Sequence, residues 1–129
     1  MICAITSDIH SNLQAWNAVL TDIRSIKADI IIILGDIIGY GPDPVAVLES
    51  VHANADYMVM GNHDAALCGK IDIEQFNDHA AEAIKWTRAN ISPAAISFLN
   101  SLPLTLNAEI FRCVHGDFSD PSLFNYILE

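Results

Sequence analysis

The sequence contains few basic residues. Six lysines and arginines stand against 16 aspartates and glutamates, which gives a formal net charge of −10 at pH 7. The six are scattered along the chain, whereas a protein that follows the phosphate backbone of DNA or RNA carries its positive charge in a stripe. We therefore expect no long nucleic acid among the partners. An anionic small-molecule substrate would need positive charge from another source, such as bound metal ions.

Long apolar runs are absent too. Ile30–Leu34 is, at five residues, as long as any apolar run in the chain, whereas a membrane-spanning helix needs about 20 residues. The segment Met1–Thr6 has neither the basic part nor the long apolar part of a signal peptide, and Asp8 follows almost at once. Because 52% of the residues are hydrophobic, too many for a disordered chain, we expect a globular, cytoplasmic protein with no membrane segment.

Cysteine is scarce as well. Cys3, Cys68 and Cys113 make an odd number without a CxxC spacing, which argues against a disulfide framework or a zinc knuckle. Cys3 and Cys113 lie in runs that are predicted to be strands, where a cysteine is usually a buried thiol. We therefore assign no function to cysteine.

Short apolar runs separated by helical patterns predict an α/β fold. The runs are too short for helices and are apolar on both faces, which is typical of parallel strands covered on both sides. Ser11–Gln14 fits a capping box with Ser11 as the N-cap of the first helix, and Asp120-Pro121 predicts a last helix over Leu123, Phe124 and Ile127. The predicted strands are residues 2–6, 30–34, 57–60, and a hairpin of 104–106 with 110–114.

Polar side chains that are able to bind metals follow four of these strands. Because the carboxyl ends of parallel strands meet at one edge of a sheet, we expect these side chains to converge there. Carboxylate, amide and imidazole groups together suit Mn, Fe or Zn, and Asp36 is free to bridge two cations while His63 is left over. The residues are Asp8, His10, Asp36, Asn62, His63 and His115.

Each motif taken alone has a simpler interpretation. Gly61-Asn62-His63-Asp64 is also a good turn, because glycine accepts a positive φ while asparagine and aspartate bond to their own backbone. The spacing of Asp8 and His10 is common by chance. Gly39 and Gly41 are better read as turn residues than as a phosphate cradle, since the loop lacks the GK[ST] of a P-loop. Only the recurrence at four strand ends favours a metal site.

Together these motifs resemble the calcineurin-like metallophosphoesterases. The signature of that family is DxH, GD, GNH followed by D or E, a strand ending in H, and a closing GHxH. The first four read here as Asp8-Ile9-His10, Gly35-Asp36, Gly61-Asn62-His63-Asp64 and His115-Gly116. Gly35–Pro44 also fits the GDxxGYGPxP form of small prokaryotic phosphoesterases. The resemblance covers essentially the whole chain, and it implies a layered αββα sandwich whose N-terminal βαβαβ half places helices around a mostly parallel sheet.

The resemblance also implies two divalent metal ions, with Mn as first choice and Fe, Zn or Ni as alternatives. Asp36 would bind both ions, His63 would act as general acid towards the leaving group, and a metal-activated hydroxide would attack phosphorus. The implied activity is hydrolysis of a small phosphodiester or phosphomonoester. The implied metal ligands are Asp8, His10 and Asp36 for one ion, and Asp36, Asn62 and His115 for the other.

Two departures from the family pattern bear on completeness. No histidine follows Gly116, so the closing GHxH is absent and each ion would lack one protein ligand. We therefore expect residues 1–129 to be a single, incomplete metallophosphoesterase domain, the N-terminal portion of a longer protein. Gly39 stands where the protein phosphatases have the aspartate that partners the acid histidine, and Asp64 is a candidate substitute.

A second function is compatible with the missing motif. A protein with the metallophosphoesterase fold but an incomplete site would act as a binding or scaffold module rather than as an enzyme. Retention of all six site residues favours the enzyme, whereas the absence of GHxH favours the module. Self-association through apolar surface that a missing portion would leave exposed is a further hypothesis.

Overall fold

A three-stranded parallel sheet forms the first part of the fold. The computed structural model describes residues 1–127 and places the strands in the order β1, β2, β3. Each strand is followed by a helix, and two of these helices, α1 (Leu13–Ser25) and α2 (Pro44–Asn54), return the chain to a parallel neighbour. This βαβαβ arrangement confirms the predicted α/β class. The strands are β1 (Cys3–Thr6), β2 (Ile30–Ile33) and β3 (Tyr57–Met58).

The second part of the chain contains three helices and a hairpin. Thr105 pairs with Val114 and Asn107 with Arg112 in an antiparallel ladder, which confirms the predicted hairpin. Short 3-10 turns occur at Ile73–Gln75 and Pro121–Leu123. The remaining elements are α3 (Asn62–Leu67), α4 (Asp78–Asn90), α5 (Pro93–Asn100), β4 (Thr105–Asn107) and β5 (Arg112–Val114).

The core lies where the helices pack against the central strand. Ile32 and Ile33 of β2 are fully buried, as expected of a strand covered on both faces. Trp16 of α1 is buried as well, and its indole N–H donates to Ser50 Oγ at 2.9 Å, so its one polar atom is satisfied. Within residues 1–127 no helix combines the length and apolar character that a membrane crossing requires.

The first helix begins one residue later than predicted. Asn12, not Ser11, is its N-cap, and the Asn12 side chain accepts a hydrogen bond from the backbone N–H of Ala15 at 3.0 Å. Ser11 is fully buried with φ +55°, and its backbone N–H donates to the carbonyl of Ile37 at 3.0 Å. The prediction for Ser11 was wrong because a tertiary contact with the loop after β2 holds its backbone outside the helix.

The third strand is shorter than its apolar run. Only Tyr57 and Met58 pair with β2, although Val59 still donates to the carbonyl of Ile33 at 3.0 Å. The N–H of Met60 then donates to Pro103 at 2.8 Å, so the chain has left the β2 ladder for the segment that precedes β4.

No last helix follows Asp120-Pro121 within the described residues, so that prediction was wrong. Asp120 Oδ1 does accept the N–H of Ser122 at 3.0 Å, as a cap should, but only one 3-10 turn forms. Phe124 then adopts a left-handed backbone with φ +51°, which cannot continue a right-handed helix.

Candidate metal centre

The loops after β1 and β2 run side by side and carry the first site residues. The N–H of Asp8 donates to the carbonyl of Gly35 at 3.1 Å, and the N–H of His10 donates to that of Asp36 at 3.0 Å. Asp8, His10 and Asp36 have φ values of +57°, +48° and +50°, which are uncommon for residues with a side chain. Backbone strain of this kind persists where the surroundings hold it, and it concentrates at functional sites.

Asp36 is the central side chain of the site. It is 3% exposed, and its Oδ2 atom lies 3.6 Å from the Nε2 atoms of both His10 and His115. The Nε2 atom of His10 is also 3.6 Å from Asp8 Oδ1, and that of His115 is 3.0 Å from Asn62 Oδ1. The fold therefore brings all five predicted metal ligands together around one carboxylate.

The protonation of the two histidines suits metal binding. Nδ1 of His115 lies 2.5 Å from the carbonyl oxygen of Leu34, and Nδ1 of His10 lies 3.2 Å from that of Ile38. A carbonyl oxygen only accepts, so Nδ1 carries the proton in each ring and the Nε2 lone pair points towards Asp36. This is the tautomer that metal-binding histidines use, with the second nitrogen held by a backbone carbonyl. The donor set therefore fits divalent cations.

Burial makes the site electrostatically strained in the absence of positive charge. Burial, and secondarily the carboxylate of Asp64, raises the pKa of Asp36 well above its ordinary value. Burial also lowers the pKa of His10, and with the nearby His10 and His115 rings it lowers the pKa of His63 to about 4. Each shift disfavours the charged form of its group. Cations bound at Asp36 would stabilise the carboxylate and oppose its shift.

The geometry supports two ligand groups that share Asp36. Candidate ligand atoms of Asp8, Asp36 and His115 lie within 4.8 Å of one another, as do those of His10, Asp36 and His63. The family resemblance pairs Asp8 with His10 instead and leaves His63 for the leaving group. Both partitions make Asp36 the shared ligand, and the assignment of His63 as acid stays a prediction.

The family model for calcineurin-like phosphoesterases matches residues 1–128. The chain belongs to this family. This confirms the resemblance inferred from the motifs. The calcineurin-like phosphoesterases are hydrolases that use divalent metals, and the sites around Asp36 are this chain's candidates for them.

Relatives of the chain come from several prokaryotes. It is 44% identical over 128 residues to an uncharacterised protein of Methanocaldococcus jannaschii, covering 96% of this chain and 53% of that protein. A metallophosphoesterase from Sphaerobacter thermophilus is 39% identical with a TM-score of 0.74, over 88% of this chain and 46% of that one. A hypothetical protein from Pyrococcus horikoshii OT3, at 23% identity and TM-score 0.72, shares the fold over 82% of this chain and 50% of that one. The chain thus spans about half the length of these relatives.

Asp64 supports the backbone of the candidate metal centre and does not form a hydrogen bond with His63. It is fully buried, and its carboxylate accepts backbone N–H groups from Gly61 at 3.0 Å, Ile37 at 3.1 Å and Ile38 at 3.3 Å. These bonds tie the loop after β2 to the start of α3. The sequence contained a signal for this role, because Asp64 stands three residues after Gly61, where a capping box places an acid.

Gly39 explains why His63 lacks the aspartate partner found in protein phosphatases. Gly39 has φ +103°, and a Cβ atom at this position would lie 2.8 Å from Nδ1 of His63. A side chain here would displace the imidazole. Within residues 1–127 the buried Nδ1 of His63 has no hydrogen-bond partner, so the ring is held by packing.

Gly61 also allows a close approach between two loops, here at the centre of the site. A Cβ atom there would lie 2.1 Å from Oδ1 of Asp36, so only glycine allows the two loops to approach this closely. The approach lets the N–H of His63 donate to Asp36 Oδ1 at 2.9 Å. The same contact orients the carboxylate so that Oδ2 faces His10 and His115.

Two aromatic residues beside His63 were not predicted as site residues. The ring of Tyr40 lies 4.8 Å from that of His63 and 5.0 Å from that of His10, and the ring of Phe76 lies 5.1 Å from His63. Tyr40 lies between Gly39 and Gly41 in the loop after β2 that also carries Asp36. Phe76 offered no signal, since it lies 12 or more residues from any motif and reaches His63 only through the fold.

Proposed function

We propose that the chain carries the two-metal centre of a phosphoesterase that hydrolyses a small phosphodiester or phosphomonoester. The observation that carries this proposal is the position of Asp36, a buried carboxylate with its Oδ2 atom 3.6 Å from the Nε2 atoms of two histidines. Without a cation, burial disfavours the ionised form of this carboxyl group. The presence of an aspartate at the point where the strand ends meet therefore favours a metal-binding role. Membership of the calcineurin-like family supports the reaction type.

The proposed ligands follow the family assignment. Bound divalent cations would neutralise phosphoryl oxygens and lower the pKa of a water molecule so that hydroxide forms near neutral pH. Oxygen and imidazole donors make Mn the first choice, with Fe, Zn and Ni as alternatives. The residues are Asp8, His10 and Asp36 for one ion, and Asp36, Asn62 and His115 for the other.

His63 is the proposed general acid. In the metal-free chain its pKa of about 4 leaves the imidazole neutral at pH 7, so it must take up a proton before it protonates a leaving oxygen. The negative charge of a bound phosphate ester opposes the effects that lower this pKa, and substrate binding and protonation of His63 are therefore coupled. Because a side chain at position 39 would displace the ring, Gly39 is a positioning residue for this step.

A binding or scaffold module is the second candidate function. A scaffold has no need of a buried, strained ligand cluster, and the geometry around Asp36 therefore favours the enzyme.

Metal analysis combined with hydrolysis of bis-p-nitrophenyl phosphate in Mn²⁺ tests the proposal. We expect bound Mn²⁺ and Mn²⁺-dependent hydrolysis; His63→Ala should keep the metal and lose turnover, whereas Asp36→Ala should lose the metal. Equal loss of metal in both variants would overturn the role of His63. No bound metal and no hydrolysis, in a chain extended to include the family's GHxH, would overturn the enzyme and favour the module.

A further inference from the structure

A cavity opens beside His63, and neither Asp8 nor Asp36 lines it. Its volume is about 320 Å³, at the lower end of the range of about 300–1,000 Å³ for small-molecule sites. Asn62 and His63 form the wall nearest the metal centre. The other residues that line this cavity are not among the proposed metal ligands, and the two-metal centre gives them no function. Its other walls include Tyr40, Gln75, Phe76 and Asn77.

Two aromatic rings flank His63 where the cavity begins. The Tyr40 ring is tilted by 46° to the imidazole at 4.8 Å between centroids, and the Phe76 ring meets it at 76° and 5.1 Å. Tyr40 is 49% exposed, so much of its ring surface is free for contact. Nothing in the packing of the core requires an aromatic side chain at this exposed position, whereas a flat ligand would bury it.

Amide side chains supply the polar part of the same cavity. Asn77 accepts the N–H of Ala80 at 3.0 Å through Oδ1, so its carbonyl oxygen is committed to capping α4 while its NH₂ group remains a donor. Gln75 lies two residues earlier on the same wall and offers both a donor and an acceptor. Aromatic faces beside amide groups match a flat ring that has hydrogen-bonding edges.

We propose that Tyr40 and Phe76 form a leaving-group subsite for a nucleoside-sized group that carries a flat aromatic ring with polar edges. The inference rests on the proposed function, which places His63 against the leaving oxygen and so makes the cavity beside it the space for the leaving group. Stacking of a base on an aromatic side chain tolerates different bases. The subsite therefore selects a chemical class rather than one base.

Binding of the leaving group alone tests the subsite without catalysis. The 129-residue chain is treated with EDTA and titrated with adenosine or with ribose, which lacks the base. We expect adenosine to bind and ribose not to bind, and we expect Tyr40→Leu and Phe76→Leu each to weaken adenosine binding roughly tenfold or more. Tyr57→Leu is the matched control, since Tyr57 is similarly exposed on β3 but outside the cavity.

Circular dichroism of each variant establishes that it folds, and Tyr40→Leu, which removes a half-exposed ring, keeps the test valid if Phe76→Leu unfolds. Equal binding of adenosine and ribose, or adenosine binding that neither variant in the cavity weakens, would overturn the subsite.

Hydrolysis of matched substrates separates this inference from the proposed function. Hydrolysis of adenosine 5′-monophosphate or of ribose 5-phosphate breaks the same bond, between phosphorus and the 5′-oxygen, and the two leaving groups differ at C1′, which carries the base or a hydroxyl group. The methyl esters of both phosphates test diesters in the same way when release of adenosine or ribose, rather than methanol, is measured. With Mn²⁺ we expect a higher kcat/KM for the adenosine compounds, and loss of that preference in Tyr40→Leu. Equal kcat/KM for both compounds would overturn the subsite and support the enzyme. Tyr40-dependent adenosine binding without hydrolysis of any ester, in a chain extended to include the family's GHxH, would support the subsite and overturn the enzyme.

Discussion

The segments after β2 and β3 are largely buried and are bonded to each other and to the segment after β1, whereas the segment after β5 is largely exposed. Asp36, His63 and Asp64 in the first region are nearly inaccessible, and they are linked by backbone hydrogen bonds across three loops. After His115 in the second region, Phe118 and Tyr126 are exposed by 52% and 80%. One part of the site is preorganised by the fold, and the other part is a single histidine, His115, directly after a short hairpin strand.

The difference shows how the ligands are divided between rigid and adaptable parts of the chain. His115 contacts the rigid region through the hydrogen bond from its Nδ1 atom to the carbonyl of Leu34, while its Nε2 atom lies 3.0 Å from Asn62 Oδ1 and 3.6 Å from Asp36 Oδ2. A cation shared by Asp36 and His115 would therefore link β5 to the parallel sheet. We expect metal binding to stabilise the second region more than the first.

The largest expected effect comes from removing the shared ligand. Asp36→Ala should abolish binding of both metal ions, because each proposed coordination sphere includes this carboxylate. His115→Ala should remove one ion only, since it belongs to the second sphere alone. Metal content after dialysis, measured by inductively coupled plasma mass spectrometry, distinguishes them. Two ions in Asp36→Ala, or none in His115→Ala, would contradict this division of the ligands.

Among these substitutions, removal of the buried Asp64 carboxylate should lower the stability of the fold most. Asp64→Ala leaves three buried N–H groups without an acceptor, and it should lower the free energy of unfolding of the metal-free chain by roughly 3 kcal/mol. Asp64→Asn keeps an acceptor oxygen and should lose less. Urea denaturation provides the measurement.

Asp117 is the matched control in the exposed region. It accepts hydrogen bonds from Ser119 in the turn after β5, and Asp117→Ala should barely change the unfolding midpoint. If Asp117→Ala and Asp64→Ala shifted the midpoint equally, the contrast between the two regions would be wrong.

Substitution of Gly39 separates the position of His63 from general strain. Gly39→Ala and Gly69→Ala both place a side chain at a positive φ and should each destabilise the chain by about 1–2 kcal/mol. Only at Gly39 would the new Cβ meet a neighbour, the Nδ1 of His63 at 2.8 Å. Turnover at saturating Mn²⁺ should therefore fall in Gly39→Ala alone, with the metal content of both unchanged. Equal turnover in the two variants would refute the positioning role of Gly39.

The smallest expected effect is a pH dependence of the metal-free chain. Burial raises the pKa of Asp36 above its unfolded value, so the folded state holds a proton that the unfolded state releases at about pH 4. The free energy of unfolding should therefore fall as pH rises from about 4 through the raised pKa. Asp36→Asn has no such proton and should show a flatter profile and a stability gain of about 1 kcal/mol near pH 8.

Thermal unfolding in EDTA at several pH values measures this profile, and identical slopes for wild type and Asp36→Asn would disprove the assignment. Saturating Mn²⁺ should reverse the order of the two proteins at pH 8, because only the wild type retains the shared carboxylate.

Much of the site was predictable because its residues follow strands. The apolar runs before Asp8, Asp36 and Asn62 are typical of parallel strands, and the ends of parallel strands converge at one edge. Convergence alone indicated a shared cluster, and the fold agrees. The prediction that failed concerned the start of the first helix. Ser11 matched a capping box in sequence, but its backbone N–H donates to the carbonyl of Ile37, and the N-cap is Asn12 instead. A pattern of neighbours in sequence does not include a contact made 26 residues away.

The sequence by itself determined the parallel strands and which polar side chains stand at the strand ends. These depend on side-chain periodicity, which sequence patterns record. Only the tertiary structure decided that Asp64 binds backbone N–H groups instead of His63, and that Phe76 joins Tyr40 beside the imidazole. Those outcomes depend on distances between loops remote in the chain, and packing of the whole domain sets such distances.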